Sequence, residues 1–259
     1  MNTIERMVDQ LSPSLSIRLR LLKYQLLGHG ALAVLPKLVR PGETVADIGA
    51  NRGVYTYRLA QLVGTRGHVH AFEPVQSNVR VLTSVFGEDP NVTVHPIALS
   101  DHSGYAELHV PVFGGKQIDS LASLVQPRVC HDSMTVRLER LDLIASSLKS
   151  SISFIKCDVE GHETSVLIGS KALLRDARPT LLIEIEQRHQ SIDIQMTFDF
   201  LVDLGYRGYF IDSRRLRPLK EFDTVKHQLS FLQDGFMPYG VPKGYVSDFV
   251  FVHPDRLSA

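Results

Sequence analysis

The chain has 259 residues, of which 44% are hydrophobic and 22% are charged. These fractions are typical of a globular protein with one sizeable apolar core. Lysine plus arginine and aspartate plus glutamate both number 28, so the formal net charge is zero. No net field therefore favours nucleic acid or an anionic membrane, and we expect no nucleic-acid partner, although a local basic patch is not excluded.

The sequence contains no apolar run of about 20 residues, the length that spans a bilayer, so we expect no transmembrane segment. Cys130 and Cys157 are not spaced like metal ligands, and Cys157 lies in an apolar strand-like run that is typical of a buried, reduced thiol. Residues 1–6 lack the basic-then-apolar order of a signal peptide. A reducing, cytoplasmic location is therefore expected.

Residues 1–40 are predicted to form an N-terminal helical extension. Apolar residues recur at helical spacing from Ile4, residues 12–14 interrupt the pattern, and a leucine-rich stretch follows over residues 15–27. Three basic residues lie within that stretch: Arg18, Arg20 and Lys23. A solvated helix face is the favoured interpretation of these charges, and a basic face near a substrate or a membrane is the alternative.

From Glu43 onward, short predicted strands alternate with predicted helices. The strands cover residues 44–48, 67–72, 92–99, 152–158 and 180–185, with closing strands at 206–211 and 249–252. The helices cover residues 54–63, 77–86, 163–174 and 192–204. This alternation predicts an α/β fold with a parallel sheet that is covered on both faces.

An insertion over residues 105–140 interrupts the alternation. Residues 105–112 alternate like a strand with one exposed face, residues 113–132 resemble a loop, and residues 134–138 again resemble a strand. We expect an inserted β-hairpin that acts as a lid or as a wall of the substrate site. Residues 41–259 otherwise form one predicted domain.

A strand, a tight turn and a helix start follow one another at residues 45–53. Gly49 and Gly53 permit positive φ and a close approach of a ligand, and the helix N-terminus attracts a negatively charged group. A glycine turn alone is common in α/β proteins. Asp47 disfavours a pyrophosphate at the mouth of the turn and suits an ammonium group, such as that of S-adenosylmethionine.

A second acidic residue, Glu73, ends the next predicted strand and precedes Pro74, which stops that strand. An acid at this strand tip is placed to accept hydrogen bonds from both hydroxyl groups of a ribose. The alternative is a surface glutamate before a turn. Together, Asp47 and Glu73 favour S-adenosylmethionine over a nicotinamide dinucleotide.

Six short segments make the sequence similar to the FkbM family of methyltransferases, a branch of the class I S-adenosylmethionine enzymes. These segments are residues 47–53, 71–74, 98–101, 141–142, 156–163 and 182–186. The Lys-x-Asp-x-Glu-Gly pattern from Lys156 is the most specific, and the resemblance extends over residues 43–190. It implies a Rossmann-like, doubly wound sheet that is mostly parallel with an antiparallel last strand. It also implies O-methylation of a hydroxyl on a sugar, a glycolipid or a natural product.

The expected cofactor contacts lie at the ends of the predicted strands. Asn51 and Tyr55 flank the helix start, where they would reach the methionine carboxylate, and Leu99 and Ser100 follow the third strand, near the adenine edge. The full expected set is Asp47, Gly49, Ala50, Asn51, Gly53, Tyr55, Glu73, Pro74, Leu99, Ser100 and Asp158.

Catalysis is expected from Lys156, Asp158, Glu184 and His189, because ligands of doubly wound sheets bind at the carboxyl ends of the strands. Methyl transfer is an in-line displacement during which the acceptor proton must be removed. In one mechanism, His189 or Asp158 is the base. In the other, Asp158 and Glu184 bind Mg²⁺, which lowers the pKa of the acceptor hydroxyl.

Structural interpretations of the same residues compete with the catalytic ones. Lys156 and Asp158 alternate onto one strand face, where they would neutralise each other as a buried pair. Glu163 is best interpreted as the acidic start of a helix, whereas Glu160 and His162 are undecided. His189 is interpreted equally well as a residue of a surface loop.

Two alternatives to a methyltransferase remain open. A nicotinamide-dependent oxidoreductase needs a turn that accepts a phosphate, and Asp47 argues against that turn. A cofactor-binding module without chemistry, serving as a partner subunit, is disfavoured by the acids at Asp158, Glu160 and Glu184. The expected partner is a small-molecule or glycan acceptor, and a homo-oligomer is compatible with the sequence.

Overall fold

Two β-sheets organise the chain. The computed structural model describes residues 12–27, 29–114, 116–117, 119–125, 131–233 and 242–256, so the helical pattern predicted before residue 12 and Cys130 lie outside the described residues. The strands, in chain order, are β1 (Thr44–Ile48), β2 (His68–Phe72), β3 (Val92–His95), β4 (Ala98–Leu99), β5 (Gly104–Phe113), β6 (Lys116–Gln117), β7 (His131–Glu139), β8 (Ile152–Cys157), β9 (Thr180–Glu184), β10 (Arg207–Asp212), β11 (Arg215–Pro218) and β12 (Asp248–Val252).

The main sheet has eight strands in the order β3-β2-β1-β8-β9-β12-β10-β11. β3, β2, β1, β8 and β9 are parallel neighbours, whereas β12 runs antiparallel between β9 and β10. This arrangement confirms the predicted, mostly parallel sheet with an antiparallel last strand. The carboxyl ends of the parallel strands meet at one edge, where ligands of such sheets bind.

Helices cover both faces of the main sheet. They are α1 (Pro13–Leu27), α2 (Gly30–Leu38), α3 (Val54–Val63), α4 (Gln76–Phe86), α5 (Leu141–Ala145), α6 (Glu163–Ile168), α7 (Lys171–Asp176), α8 (Gln195–Asp203) and α9 (Thr224–His227). Residues of α1 to α4 form one buried apolar cluster with the sheet, and residues of α5 to α8 form another. Cys157, at the end of β8, is a free, fully buried thiol.

The helical extension shares its core with the sheet. Ile17 and Leu21 of α1 and Leu35 of α2 are buried in the same apolar cluster as Val45 of β1. α1 packs against α3 and α4. The extension is therefore part of the layer that covers the main sheet. No helix in the described part of the chain is both long and apolar enough to cross a membrane.

The predicted hairpin is the centre of a second sheet with the order β4-β7-β5-β6. β5 and β7 pair antiparallel, from Gly104 opposite Leu138 to Pro111 opposite His131. β4 adds to β7 as a parallel neighbour. The segment predicted as a loop contains β6 and one turn of 3-10 helix over Asp119–Leu121.

Two predicted elements are each divided in the structure. The predicted strand over residues 92–99 becomes β3 and β4, which lie in different sheets, because Pro96 between them has no N–H to donate to a ladder. The predicted helix over residues 163–174 becomes α6 and α7, which are separated at Gly169. A Cβ on Gly169 would lie 1.9 Å from the carbonyl oxygen of Ser100, so the glycine lets the junction of α6 and α7 approach the segment that follows β4.

Candidate active site

A cleft opens at the carboxyl ends of β1, β2 and β8. The turn after β1 and residues 73–75 after β2 form one side. Residues 158–160 after β8 form another side, and Leu99 and part of the inserted sheet complete the lining. The position of this cleft suits a small-molecule cofactor, because ligands of such sheets bind at the carboxyl ends of the strands.

The turn after β1 brings its backbone close to the end of β8. Gly49 has a φ of +75°, and a Cβ on it would lie 1.8 Å from the carbonyl oxygen of Asp158. Glycine is required here because both the left-handed backbone and the close contact exclude a side chain. The N–H groups of Gly49 and Ala50 each donate to the carbonyl oxygen of Phe72 at 3.0 Å, which ties the turn to β2.

Glu73 is buried in the wall of the cleft. Its Oε2 accepts a hydrogen bond from the N–H of Asn51 at 2.7 Å, and its Oε1 accepts from the N–H of Val75 at 2.8 Å and from Asn78 Nδ2 at 3.4 Å. Burial raises the pKa of Glu73 to about 7, although these hydrogen bonds act in the opposite direction. Oε2 keeps a lone pair for one further donor, such as a hydroxyl group.

Apolar side chains line the part of the cleft beyond Glu73. Leu99 and Ile97 lie at the base of the inserted sheet, and Leu108, Ala122 and Leu124 belong to the insertion itself. Part of the insertion therefore lines the cleft, and its role as a lid or as a wall of the substrate site stays a prediction. These side chains suit a flat, apolar ring system.

Two hydrogen bonds fix the insertion to the main sheet and its helices. The hydroxyl of Ser77, on α4, donates to Asp119 Oδ2 at 2.6 Å. The hydroxyl of Ser123, which is buried, donates to the carbonyl oxygen of Glu160 at 2.5 Å. The insertion is therefore attached on both sides of the cleft.

The predicted cofactor residues fall into two groups. Those that line the cleft are Gly49, Asn51, Glu73, Pro74, Leu99 and Asp158. Those that are not part of its lining are Asp47, Ala50, Gly53, Tyr55 and Ser100. Asp47 is fully buried and accepts from the hydroxyl of Thr56 at 2.6 Å. It therefore lies beneath the turn, whereas the sequence interpretation placed it at the mouth.

Gly53 and Ser100, which do not line the cleft, contact other residues of the protein. Gly53 has a φ of +87°, and a Cβ on it would lie 2.8 Å from Leu82 and 2.9 Å from Phe86, so it allows α3 to pack on α4. The hydroxyl of Ser100 contacts His162 Nε2 at 2.9 Å and donates to Asp101 at 3.1 Å. His162 in turn lines the cleft.

Lys156 and Asp158 form the ion pair that the sequence offered as a structural interpretation, but only Lys156 is buried, and the side chain of Asp158 is 26% exposed. Lys156 Nζ donates to Asp158 Oδ2 at 3.0 Å and lies 4.7 Å from the centre of the Tyr55 ring. Burial alone would lower the pKa of Lys156, but attraction by Asp158 and Asp47 raises it above its usual value. Lys156 is therefore a fixed cation, and Tyr55 packs against it.

Three further carboxylates surround this pair. Asp248, the first residue of β12, lies opposite Glu184, the last residue of β9. Burial, followed by repulsion from Asp158, raises the pKa of Glu184 and Glu160 well above the usual range and that of Asp248 to about 7. These carboxyl groups therefore keep their protons to a higher pH than exposed carboxyl groups do.

His189 lies at the edge of the carboxylate group. Its Nδ1 lies 3.5 Å from Glu160 Oε2, and its Nε2 lies 3.7 Å from Glu186 Oε1. Nε2 is buried and has no hydrogen-bond partner among the described residues. Burial, helped by Arg188, lowers the pKa of His189, so the ring is neutral near pH 7. A neutral ring with a free nitrogen can accept a proton.

Two residues hold the carboxylate of Glu186 beside this histidine. Arg188 donates to both oxygens of Glu186, from Nε at 2.7 Å and from Nη2 at 2.8 Å. The hydroxyl of Tyr245 also donates to Glu186. Paired donors of this kind fix a carboxylate in orientation as well as in charge.

Glu163 holds the loop between β8 and α6. Its carboxylate accepts from the N–H groups of Val159 at 3.2 Å and Gly161 at 3.0 Å, and from Gln190 Nε2 at 2.7 Å. Glu163 begins α6, as predicted, but it also fixes the loop that carries Glu160. A Cβ on Gly161 would lie 2.5 Å from the carbonyl oxygen of His189, which brings this loop against the His189 segment.

The sequence analysis did not identify four residues of this region: Glu186, Arg188, Tyr245 and Asp248. The sequence held one signal for Asp248, which directly precedes the predicted strand over residues 249–252. If that strand runs antiparallel to β9, it begins at the edge of the sheet where β9 ends. Across the described residues, no three histidine, cysteine, aspartate or glutamate side chains are arranged to hold a metal ion. The metal site predicted at Asp158 and Glu184 thus stays a prediction.

Comparison with known proteins identifies the family. A family model described as Methyltransferase FkbM domain matches residues 47–209, which is more than half of the chain. The chain belongs to the FkbM methyltransferase family. The family match includes the glycine turn, Glu73, the Lys156–Asp158 pair and the segment that ends in His189. No curated protein matches the sequence.

The chain is also similar to solved structures. A methyltransferase FkbM from Methylobacillus flagellatus KT has a TM-score of 0.51 at 16% identity, covering 95% of this chain and 57% of that one. This chain thus spans less than two thirds of that protein. Aeropyrum pernix fibrillarin with natively bound S-adenosyl-L-methionine has a TM-score of 0.47 at 13% identity, covering 86% and 73%. A SAM-dependent methyltransferase from Aquifex aeolicus has a TM-score of 0.47 at 15% identity, covering 93% of this chain and 98% of that one.

Proposed function

We propose that the protein is an S-adenosylmethionine-dependent methyltransferase that methylates a hydroxyl of a sugar, a glycolipid or a natural product. The observation that carries this proposal is the cleft that joins Gly49, Glu73 and Leu99 with Asp158. Membership of the FkbM methyltransferase family supports the class of reaction. The carboxylates and the histidine beyond Asp158 support a hydroxyl acceptor, because they suit removal of its proton.

The residues of the cleft fit the proposed cofactor. Gly49 lines the cleft beside Asp158, where the amino-acid end would lie, and the free lone pair of Glu73 Oε2 suits a ribose hydroxyl. Ile97, Leu99 and Leu108 suit the adenine ring. When bound, the cofactor supplies a methyl group that is activated by a sulfonium.

His189 is the base that we prefer. It is neutral near pH 7, its Nε2 has no protein partner in the described part of the chain, and Glu160 and Glu186 lie where they stabilise an imidazolium. Asp158 is the alternative base. Its carboxylate already accepts from Lys156 at 3.0 Å, which makes it the weaker proton acceptor.

A mechanism with Mg²⁺ at Asp158 and Glu184 is the second one to test. Mg²⁺ binds through one or two carboxylates and keeps several waters, so two protein ligands are compatible with it. Once an acceptor is found, activity is measured with and without a chelator. Loss of activity that Mg²⁺ restores would establish the metal mechanism, and unchanged activity would favour His189.

Calorimetric titration with S-adenosylhomocysteine tests the cofactor site. We expect the wild type to bind and Glu73→Ala to weaken binding by about 1–3 kcal/mol, because a hydrogen bond to a charged group is lost. Glu88→Ala is the matched control, since Glu88 is exposed and lies outside the cleft. It should bind like the wild type. A wild type that does not bind S-adenosylhomocysteine would overturn the proposal.

A further inference from the structure

α1 is apolar on two faces, of which only one contacts the core. Ile17 and Leu21 are buried, whereas four leucines on the other side are 48%, 49%, 51% and 76% exposed: Leu15, Leu19, Leu22 and Leu26. These four are three or four residues apart, a spacing that places them along one line of the helix surface. We refer to Leu15, Leu19, Leu22 and Leu26 as the leucine stripe.

Basic side chains border the leucine stripe on both sides. At 3.6 residues per turn, Arg18 and Lys23 lie about 70° from the centre of the stripe, in opposite directions. Both side chains are exposed, and α1 contains no aspartate or glutamate. The guanidinium of Arg18 lies 5.8 Å from the centre of the Tyr57 ring and stays exposed to solvent. Arg18 and Lys23 therefore place two positive charges of α1 beside the leucine stripe.

We propose that the leucine stripe docks α1 onto an anionic lipid surface. A helix that lies in a membrane interface places its apolar side chains at the boundary between headgroups and acyl chains, and its flanking cations attract lipid phosphates. The arrangement on α1 matches both requirements. Charge complementarity favours lipid over a second copy, because two copies of this face would bring Arg18 and Lys23 against like charges.

α1 lies beside the cofactor turn, so docking would bring the site near the lipid surface. A Cβ on Gly53 would lie 3.5 Å from Ile17 Cδ1. At the end of α1, the ring of Tyr24 lies 5.2 Å from that of His29, which lies 6.5 Å from the Tyr55 ring. Under the proposed function, and resting on it, this position favours a lipid-linked acceptor. The docking itself does not depend on that function.

Vesicle flotation with the full chain tests the docking. Vesicles of phosphatidylcholine mixed with phosphatidylglycerol are compared with vesicles of phosphatidylcholine alone. We expect the wild type to float with the anionic vesicles. Leu19→Gln/Leu22→Gln and Arg18→Glu/Lys23→Glu should each reduce this binding roughly tenfold or more, because each removes one of the two attractions.

Matched controls alter equally exposed side chains elsewhere. Leu143 and Val202 are 52% and 50% exposed, so Leu143→Gln/Val202→Gln is the control for the leucine stripe. Arg66→Glu/Lys149→Glu is the control for charge, since both residues are exposed and lie outside α1. Both controls should bind vesicles like the wild type. Circular dichroism checks folding, and Leu26→Gln is a milder substitute if a double variant unfolds.

Three results would overturn the docking. One is a wild type that binds neither kind of vesicle, and another is equal binding by the wild type and a folded leucine variant. The third is a dimer that the leucine changes dissociate in sedimentation, without any vesicle binding, which would assign the leucine stripe to a second copy. A chain that binds S-adenosylhomocysteine but does not float would refute the docking and leave the proposed function intact.

Discussion

Gly49 and Gly42 share a left-handed backbone but differ in their surroundings. Gly49 has a φ of +75°, and its missing Cβ would lie 1.8 Å from the backbone of Asp158. Gly42 has a φ of +86°, and no heavy atom lies within 4 Å of the position of its missing Cβ. The two residues therefore separate the effect of backbone conformation from the effect of close contact.

Alanine at these two positions should destabilise the protein to different extents. Gly42→Ala should lower the free energy of unfolding by about 1–2 kcal/mol, the cost of a left-handed backbone for a residue with a Cβ. Gly49→Ala should lower it by a further amount of roughly 1–3 kcal/mol, because the turn and the end of β8 must separate. Urea unfolding measures both values. Equal losses would show that the contact at Gly49 relaxes without strain.

The site residues that could be predicted from the sequence are those whose position is set by the end of one strand. Glu73, Asn51 and Asp158 line the cleft because each follows one apolar run. Asp47 also ends a strand, but it lies opposite Lys156 on β8 and is buried beneath the turn. That pairing depends on register across two distant segments. Asp248 depends in the same way on the antiparallel pairing of β12 with β9.

At the scale of elements, residues of the inserted sheet line one part of the cleft. The attachment of this sheet depends on a few polar contacts, because Ser77 donates to Asp119 and Ser123 donates to Glu160. Among the described residues, its buried apolar cluster is small and includes Val75, which follows β2 of the main sheet. We therefore interpret the predicted lid as an element that opens locally while the main sheet stays folded.

Loss of the Ser77 hydroxyl should speed release of S-adenosylhomocysteine. Ser77→Ala removes one hydrogen bond to a carboxylate, which corresponds to a roughly three- to tenfold faster dissociation if the inserted sheet must move for release. Stopped-flow displacement measures the rate. Ser84→Ala is the control, because its hydroxyl donates to Val81 O at 2.8 Å on the same helix and lies outside the cleft. Unchanged dissociation in Ser77→Ala would show that the inserted sheet does not limit release.

The accuracy of the element prediction follows from burial. Most strands of the main sheet were found because they are covered on both faces and are largely apolar; β1 is buried at all five positions. β11 was missed because its four residues are all exposed and carry no apolar pattern. The boundary between β3 and β4 was missed because residues 92–99 read as one strand despite Pro96, and membership of two sheets is a tertiary property.

At the scale of the whole molecule, the fold buries two kinds of titratable group that change its stability in opposite directions as the pH changes. His68, His70 and His95 lie side by side on β2 and β3, where burial lowers all three pKa values, and that of His70 falls to about 4. Nδ1 of His70 lies 3.1 Å from Nε2 of His95. Burial raises the pKa of Glu73 and Glu163 to about 7. The histidines destabilise the folded state in acid, whereas the carboxyls destabilise it as the pH rises.

His70→Asn should reduce the loss of stability in acid. The unfolded chain binds a proton at His70 near pH 6.5, whereas the folded chain does so near pH 4, so stability is complete above pH 6.5 and is lost as the pH falls towards 4. This loss amounts to roughly 3 kcal/mol for His70. Urea unfolding across this range measures it. His109→Asn, in the inserted sheet, is the control, and parallel curves for wild type and His70→Asn would contradict the prediction.

The buried thiol of Cys157 can be used to measure how often the central sheet opens. This thiol is inaccessible in the folded protein, and burial raises its pKa well above the usual range, so alkylation requires opening of the sheet. In a Cys130→Ser background, the labelling rate then measures how often β8 is exposed. A ligand that binds only the folded form slows labelling by the factor 1 + [L]/Kd. Cofactor affinity can thus be obtained from the chemistry of one thiol, before any acceptor is known.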